Sequence, residues 1–142
     1  MGKFLSTLAT AFVTTALLGS GQAAAQTENP FKCEPGEKYV MNVMVSGVEY
    51  WFPVYEMFKQ AGQQFGCETE YTGTPEYDVN KQIASFDQAL AQNPAGILVH
   101  PMNSDPFVEP INRAIDQGTA VVTFAADSPN SNRISYITSD NI

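Results

Sequence analysis

The stretch Lys38-Tyr39-Val40-Met41-Asn42-Val43-Met44-Val45 decides the fold. Apolar residues and β-formers occupy both alternating sets of positions, as expected of a strand covered on both faces inside a parallel sheet. Downstream, Val54, Met57, Phe58, Ala61 and Phe65 recur at i, i+3, i+4, i+7 and i+11 and predict an amphipathic helix. Pro53 suits its first turn and Gly66 its stop. Residues 67–71 form a second short strand, closed by the turn Gly73-Thr74-Pro75. Asp78 caps a second helix with Val79, Ile83, Phe86 and Leu90 on one stripe. Residues 95–100 (AGILVH) are a third, central strand. A third helix carries Val108, Ile111 and Ile115 and ends near Gly118; Pro110 leaves its start open, because proline is tolerated only in a first turn. Residues 119–125 and 134–138 are the fourth and fifth strands.

Strand and helix alternate with short connections. The expected class is therefore α/β: a doubly wound, Rossmann-like parallel sheet of five strands with three helices. Ligands on such sheets sit beyond the carboxyl ends of the strands, here the loops 46–53, 72–78, 101–105 and 125–132.

Composition narrows the function. With 44% apolar and 11% aromatic residues the chain can bury a core, and a net charge of −8 lacks the basic face that nucleic acid demands. One His and two distant Cys are too few for a closed zinc site, so neither a metal nor a cofactor is expected.

Residues 1–25 read as a secretory signal peptide. Lys3 precedes an apolar run over 4–18, Gly19-Ser20-Gly21 breaks it, and Ala23-Ala24-Ala25 supplies the small residues before a cut expected after Ala25. An uncleaved anchor is the alternative, although the run is shorter than the ~20 residues of a span. Cleavage takes 25 of 142 residues and Lys3, leaving 117 residues and a charge of −9 in place of −8. Residues 26–37, with Pro30, Pro35 and Gly36, form an extended lead-in to the lobe over 38–142.

Export places Cys33 and Cys67 in an oxidising space that favours pairing. They precede the first and second strands, which are neighbours in the usual doubly wound orders, so a disulfide would lie at the end of the sheet opposite the ligand loops. Two separate buried thiols are the alternative.

No GxSxG elbow, phosphate-binding GxxxxGK[ST] loop or HExxH helix is present, and no pair of carboxylates stands out, so the chain is not expected to be an enzyme. His100 ends an apolar strand without an obvious Asp or Cys partner and reads as a hydrogen-bonded or wall-lining residue. What remains is the loop Ser46-Gly47-Val48-Glu49-Tyr50-Trp51-Phe52-Pro53, which holds the only Trp. Three consecutive aromatics cannot all enter one core face, so at least one is expected in the cleft; the alternative packs Trp51 and Phe52 under the next helix. Asp127, just past the fourth strand, places a carboxylate near the same rim. An aromatic plane beside a carboxylate suits a polyhydroxylated ligand, whose C–H face the ring covers and whose hydroxyls the anion accepts. The candidate ligand-binding residues are Tyr50, Trp51, Glu49, Asn103 and Asp127.

At these residues the chain resembles the amino-terminal lobe of type 1 periplasmic sugar-binding proteins, the ribose-binding-like solute receptors of ABC importers. The resemblance rests on Tyr50-Trp51, Gln64-Phe65-Gly66, Asp78-Val79-Asn80-Lys81-Gln82-Ile83 and Gly96-Ile97-Leu98-Val99-His100-Pro101. It continues in Gly118-Thr119-Ala120-Val121-Val122-Thr123-Phe124 and Tyr136-Ile137-Thr138-Ser139-Asp140-Asn141. It implies that Tyr50 and Trp51 stack on the sugar and that Ser139-Asp140-Asn141 is a hinge crossover. The family places an Asp directly after the fourth strand, where this chain has Ala125; Asp127 matches the second position of the family's Asp-x-Asp variants. The resemblance also implies a second lobe, so the chain is expected to be one lobe of a larger, truncated receptor.

The function expected on this resemblance is non-enzymatic. The protein binds a sugar, polyol or similar small polar solute in the periplasm and delivers it to the membrane permease of an ABC importer, with no nucleic-acid partner. The alternatives are an exported sensory or signal-presenting domain of the same fold and an exported α/β enzyme.

Overall fold

The structure, a computed structural model, describes residues 31–139. The expected signal peptide over 1–25, its cut after Ala25, most of the lead-in and the Asp140-Asn141 end of the hinge-like segment lie outside the described residues.

The elements follow the predicted alternation: β1 (Lys38–Val43), α1 (Trp51–Phe65), β2 (Glu68–Gly73), α2 (Val79–Leu90), β3 (Gly96–His100), a 3-10 turn (Asp105–Phe107), α3 (Val108–Asp116), β4 (Ala120–Phe124) and β5 (Ser135–Ile137). The strands form one sheet in the order β2-β1-β3-β4-β5, and every neighbouring pair is parallel. Five parallel strands with three helices make the doubly wound α/β sheet expected from the sequence.

Both faces of β1 are buried, which explains its continuous apolar character. On one face Val40, Ile97, Val99 and Val121 meet Phe86 and Leu90 of α2 and Ile111 of α3. Phe86 and Phe107 pack edge to face with ring centroids 5.9 Å apart, joining α2 to the turn before α3. On the other face Met41, Val43 and Phe124 pack with Trp51 beneath α1. Each such fully buried side chain contributes about 1.5–3 kcal/mol.

Local chemistry sets the helix ends. The Asp78 carboxylate accepts from the N–H groups of Asn80 and Lys81, capping α2. Gly66, at φ 78°, closes α1 in the left-handed conformation. The start of α1 lacks a side-chain cap, and Tyr50 is already helical, so Trp51 and Phe52 belong to the helix and not to the preceding loop. The inward stripe is accordingly Trp51, Val54, Tyr55, Phe58 and Gly62, whereas Met57, expected on it, is 72% exposed. Gly62 is buried where α1 crosses β2, and a Cβ there would collide with Thr69 Cγ2.

Cys33 and Cys67 form a disulfide with Cα atoms 5.3 Å apart. The Cys33 N–H donates to the Phe65 carbonyl at 2.8 Å, so the bond pins the lead-in to the end of α1. It sits at the amino ends of β1 and β2, opposite the ligand-side loops.

Candidate functional site

The carboxyl ends of β1, β3 and β4 open into a cavity of about 500 Å³ lined by Met44, Val45, Val48, Tyr50, Trp51, His100 and Ala125. β1 ends at Val43, and Val45 at φ 49° turns the chain away toward the aromatic loop. Ala125, at φ 59°, makes the equivalent turn after β4. Between these two turns His100 ends β3.

Trp51 is the floor of this cavity. Its indole Nε1–H donates to the Met44 carbonyl at 3.0 Å, and the residue is 4% exposed. Its ring lies 4.7 Å from His100 and 5.8 Å, edge to face, from Phe124. Tyr50 meets it edge-on at 4.7 Å and is 70% exposed, standing at the rim. Both aromatics of the predicted pair therefore line one cavity, one fixed in the core and one exposed at the rim.

His100 is 6% exposed. Burial pushes its pKa below the ordinary histidine value, which keeps the imidazole neutral near pH 7. Its Nδ1 has no hydrogen-bond partner.

The other candidate residues stand elsewhere. Asp127 is outside the cavity lining, and its carboxylate is engaged by its own chain. Arg133 forks onto it, with Nε on Oδ1 and Nη2 on Oδ2 at 2.7 Å. Thr123 Oγ1–H and the Ser128 N–H also donate to Oδ1, at 2.7 and 2.8 Å. The Arg133 guanidinium, with these two donors, holds the Asp127 carboxyl below the usual carboxylate range despite some desolvation. Ser104 and Ser128 exchange further bonds across to this segment, Ser104 Oγ–H to the Asp127 carbonyl at 2.6 Å and Ser128 Oγ–H to the Ser104 carbonyl at 2.7 Å. Two ligand-side loops are thereby tied together. Glu49 and Asn103 are exposed on their loops and likewise lie outside the cavity lining.

A buried polar network beneath the site went unseen in the sequence. Gln82 is fully buried; its amide donates to the His100 carbonyl at 2.7 Å and accepts from the Met102 N–H at 2.9 Å. Asn42 donates to Thr72 Oγ1 and Ser85 Oγ at 3.1 and 3.2 Å. The available signal was spacing: Gln82 falls at i+3 between Val79 and Phe86, on the apolar stripe of α2. Among the described residues no three His, Cys, Asp or Glu side chains come together to hold a metal. A second cavity, of about 430 Å³, lies beside the disulfide, remote from the carboxyl ends of the strands.

A doubly wound parallel sheet with an aromatic cavity at its carboxyl ends is the arrangement of a ligand-binding α/β lobe. The chain belongs to the family of periplasmic binding protein domains, whose model matches residues 39–142. Solved structures agree. AraP, an arabinose-binding protein from Geobacillus stearothermophilus, is 35% identical over 72% of this chain and 35% of its own, with a TM-score of 0.70. A sugar-binding protein of a sugar ABC transporter from Bacillus halodurans is 34% identical over 75% of this chain and 37% of its own, with a TM-score of 0.72. GanP, a glucose-galactose binding protein from Geobacillus stearothermophilus, is 27% identical over 76% and 39%, with a TM-score of 0.70. The chain thus spans well under half the length of these proteins, each of which is named as a sugar-binding protein. No curated protein sequence matches it significantly.

Proposed function

We propose that this chain is the amino-terminal lobe of an exported receptor that binds a monosaccharide, polyol or similar small polar solute between two lobes and delivers it to the permease of an ABC importer. The observation that carries the proposal is the cavity with Trp51 as its floor and Tyr50 at its rim. Such aromatic surfaces cover the C–H faces of sugars while leaving hydroxyls free for polar contacts. The named binding partners of the similar structures are sugars, which favours the same class here. Cleavage after Ala25 and a periplasmic location belong to this proposal, as do roles for Glu49, Asn103 and Asp127. Glu49 and Asn103 stand exposed on the ligand-side loops, while Asp127 would have to leave Arg133 to contact solute. The test is a thermal-shift screen of the full-length protein: stabilisation by one or a few sugars or polyols supports the proposal, and a broad screen without any shift overturns it.

A further inference from the structure

We infer that His100 is the polar specificity residue of the cavity, its imidazole hydrogen-bonding one hydroxyl of a neutral polyhydroxylated ligand held in the cavity beside Tyr50 and Trp51. The inference rests on the sugar-binding proposal and deepens it.

Below the exposed Tyr50 hydroxyl at the rim, most of the side-chain hydrogen-bonding capacity around the cavity is spent inside the chain. Trp51 Nε1–H is used by the Met44 carbonyl. Both oxygens of Asp127 are used by Arg133, and Oδ1 also by Thr123 and Ser128. Met44, Val45, Val48 and Ala125 offer apolar side chains only. His100 differs: it lines the cavity, is more than nine-tenths buried, and keeps a nitrogen without a partner. A buried polar atom without a partner costs free energy; Nδ1 is closed off as the ring stands, and a turn of the ring that brings a nitrogen to a ligand hydroxyl would offset that cost.

The residue is also held in place. Gln82 Nε2–H fixes the backbone carbonyl of His100 at 2.7 Å, and Trp51 and Phe124 hold the ring at centroid distances of 4.7 and 5.7 Å. A ring so supported loses little entropy on binding. A rotation of 180° about its last torsion exchanges Nδ1 with Cδ2 and Nε2 with Cε1 while leaving the ring in the same plane. A neutral imidazole has one donor and one acceptor nitrogen, so it matches a hydroxyl, which can serve as either. An anionic solute would meet no cation in the cavity lining, which makes a neutral ligand the better match.

The test uses the full-length protein and five named probes, D-ribose, L-arabinose, D-xylose, D-glucose and D-galactose. Calorimetry gives the affinities of wild type, His100→Phe and His100→Gln. Nitrogen NMR of protein labelled in histidine follows the imidazole signals that vanish in His100→Phe. The expected result is that a sugar bound by wild type shifts those signals, binds about tenfold more weakly to His100→Phe, and recovers part of the loss in His100→Gln. Equal affinity for wild type and His100→Phe, with unmoved nitrogen signals, overturns the role of His100 and leaves the receptor proposal standing. Binding of none of the five sugars by wild type overturns the sugar-binding proposal, and this role with it. If His100→Phe does not fold, the nitrogen signals of wild type and the affinity of His100→Gln decide.

Discussion

Arg133 forks onto Asp127, six residues earlier, and thereby converts the rim carboxylate from a free acceptor into the clasp of the loop that follows β4. The clasp is extended by Thr123 at the end of β4 and by the Ser128 N–H, so it fixes where the loop leaves the sheet. Asp127→Asn keeps the shape and removes the charge. Amide exchange at Ser128 should quicken and the melting temperature should fall at pH 7. The pH dependence has a definite sign. The folded carboxyl titrates below its unfolded value of about 3.9, so its stabilisation is present above that value and is lost as pH falls through the lower folded value. Acid unfolding of Asp127→Asn should show a shallower dependence in that window; identical acid profiles would contradict the clasp.

Gln82 holds the end of β3 to the loop beyond it through the His100 carbonyl and the Met102 N–H. Gln82→Ala removes the amide that serves the His100 carbonyl and the Met102 N–H, at a cost of about 1–3 kcal/mol. Urea unfolding should show a reduced midpoint at unchanged slope. A midpoint equal to wild type would mean that water replaces the amide fully.

Gly62 is where α1 touches β2. Alanine in a helix interior is intrinsically better than glycine by about 1 kcal/mol. Here the added methyl meets Thr69 Cγ2, and overpacking costs about 1–3 kcal/mol. Gly62→Ala should therefore destabilise, and adding Thr69→Ser should recover stability. A rise in melting temperature for Gly62→Ala alone would contradict the close approach.

How much of this was legible in the sequence depended on whether the signal was local. The two-faced apolar character of β1, the Asp78 cap and the glycine stop at Gly66 are set by neighbours in the chain, and each appears where its pattern places it. The Cys33–Cys67 bond followed from the position of both residues before adjacent strands. The start of α1 was less legible because no capping side chain marks it, so Trp51 read as loop; with Trp51 on the inner face the stripe runs through Val54, Tyr55 and Phe58, and Met57 falls outside it. The partners of Asp127 and Gln82 depend on paths through space. Arg133 returns to Asp127 only because Ala125 and the serines bend the loop, and Gln82 is buried only because β3 ends beside α2.

The disulfide closes a loop of 34 residues at the end of the sheet remote from the cavity. In the chain-entropy account it contributes about 3–4 kcal/mol. Replacing both Cys33 and Cys67 by Ser should lower the urea midpoint by about 2 M, with sugar affinity changed less than about twofold. An unchanged midpoint would remove its stabilising role.

Emission from Trp51 during sugar titration of the full-length protein bears most directly on the proposal that the cavity above this residue is the binding site. The signal is isolated as the difference from a Trp51→Phe variant, because full truncation of so buried a ring would cost about 3–5 kcal/mol of stability and blur the result. A saturable change with one or a few sugars, weakened at least tenfold in Tyr50→Ala at an unchanged melting temperature, is the predicted result. Binding of a sugar with no change in Trp51 emission and no effect of Tyr50→Ala would contradict it.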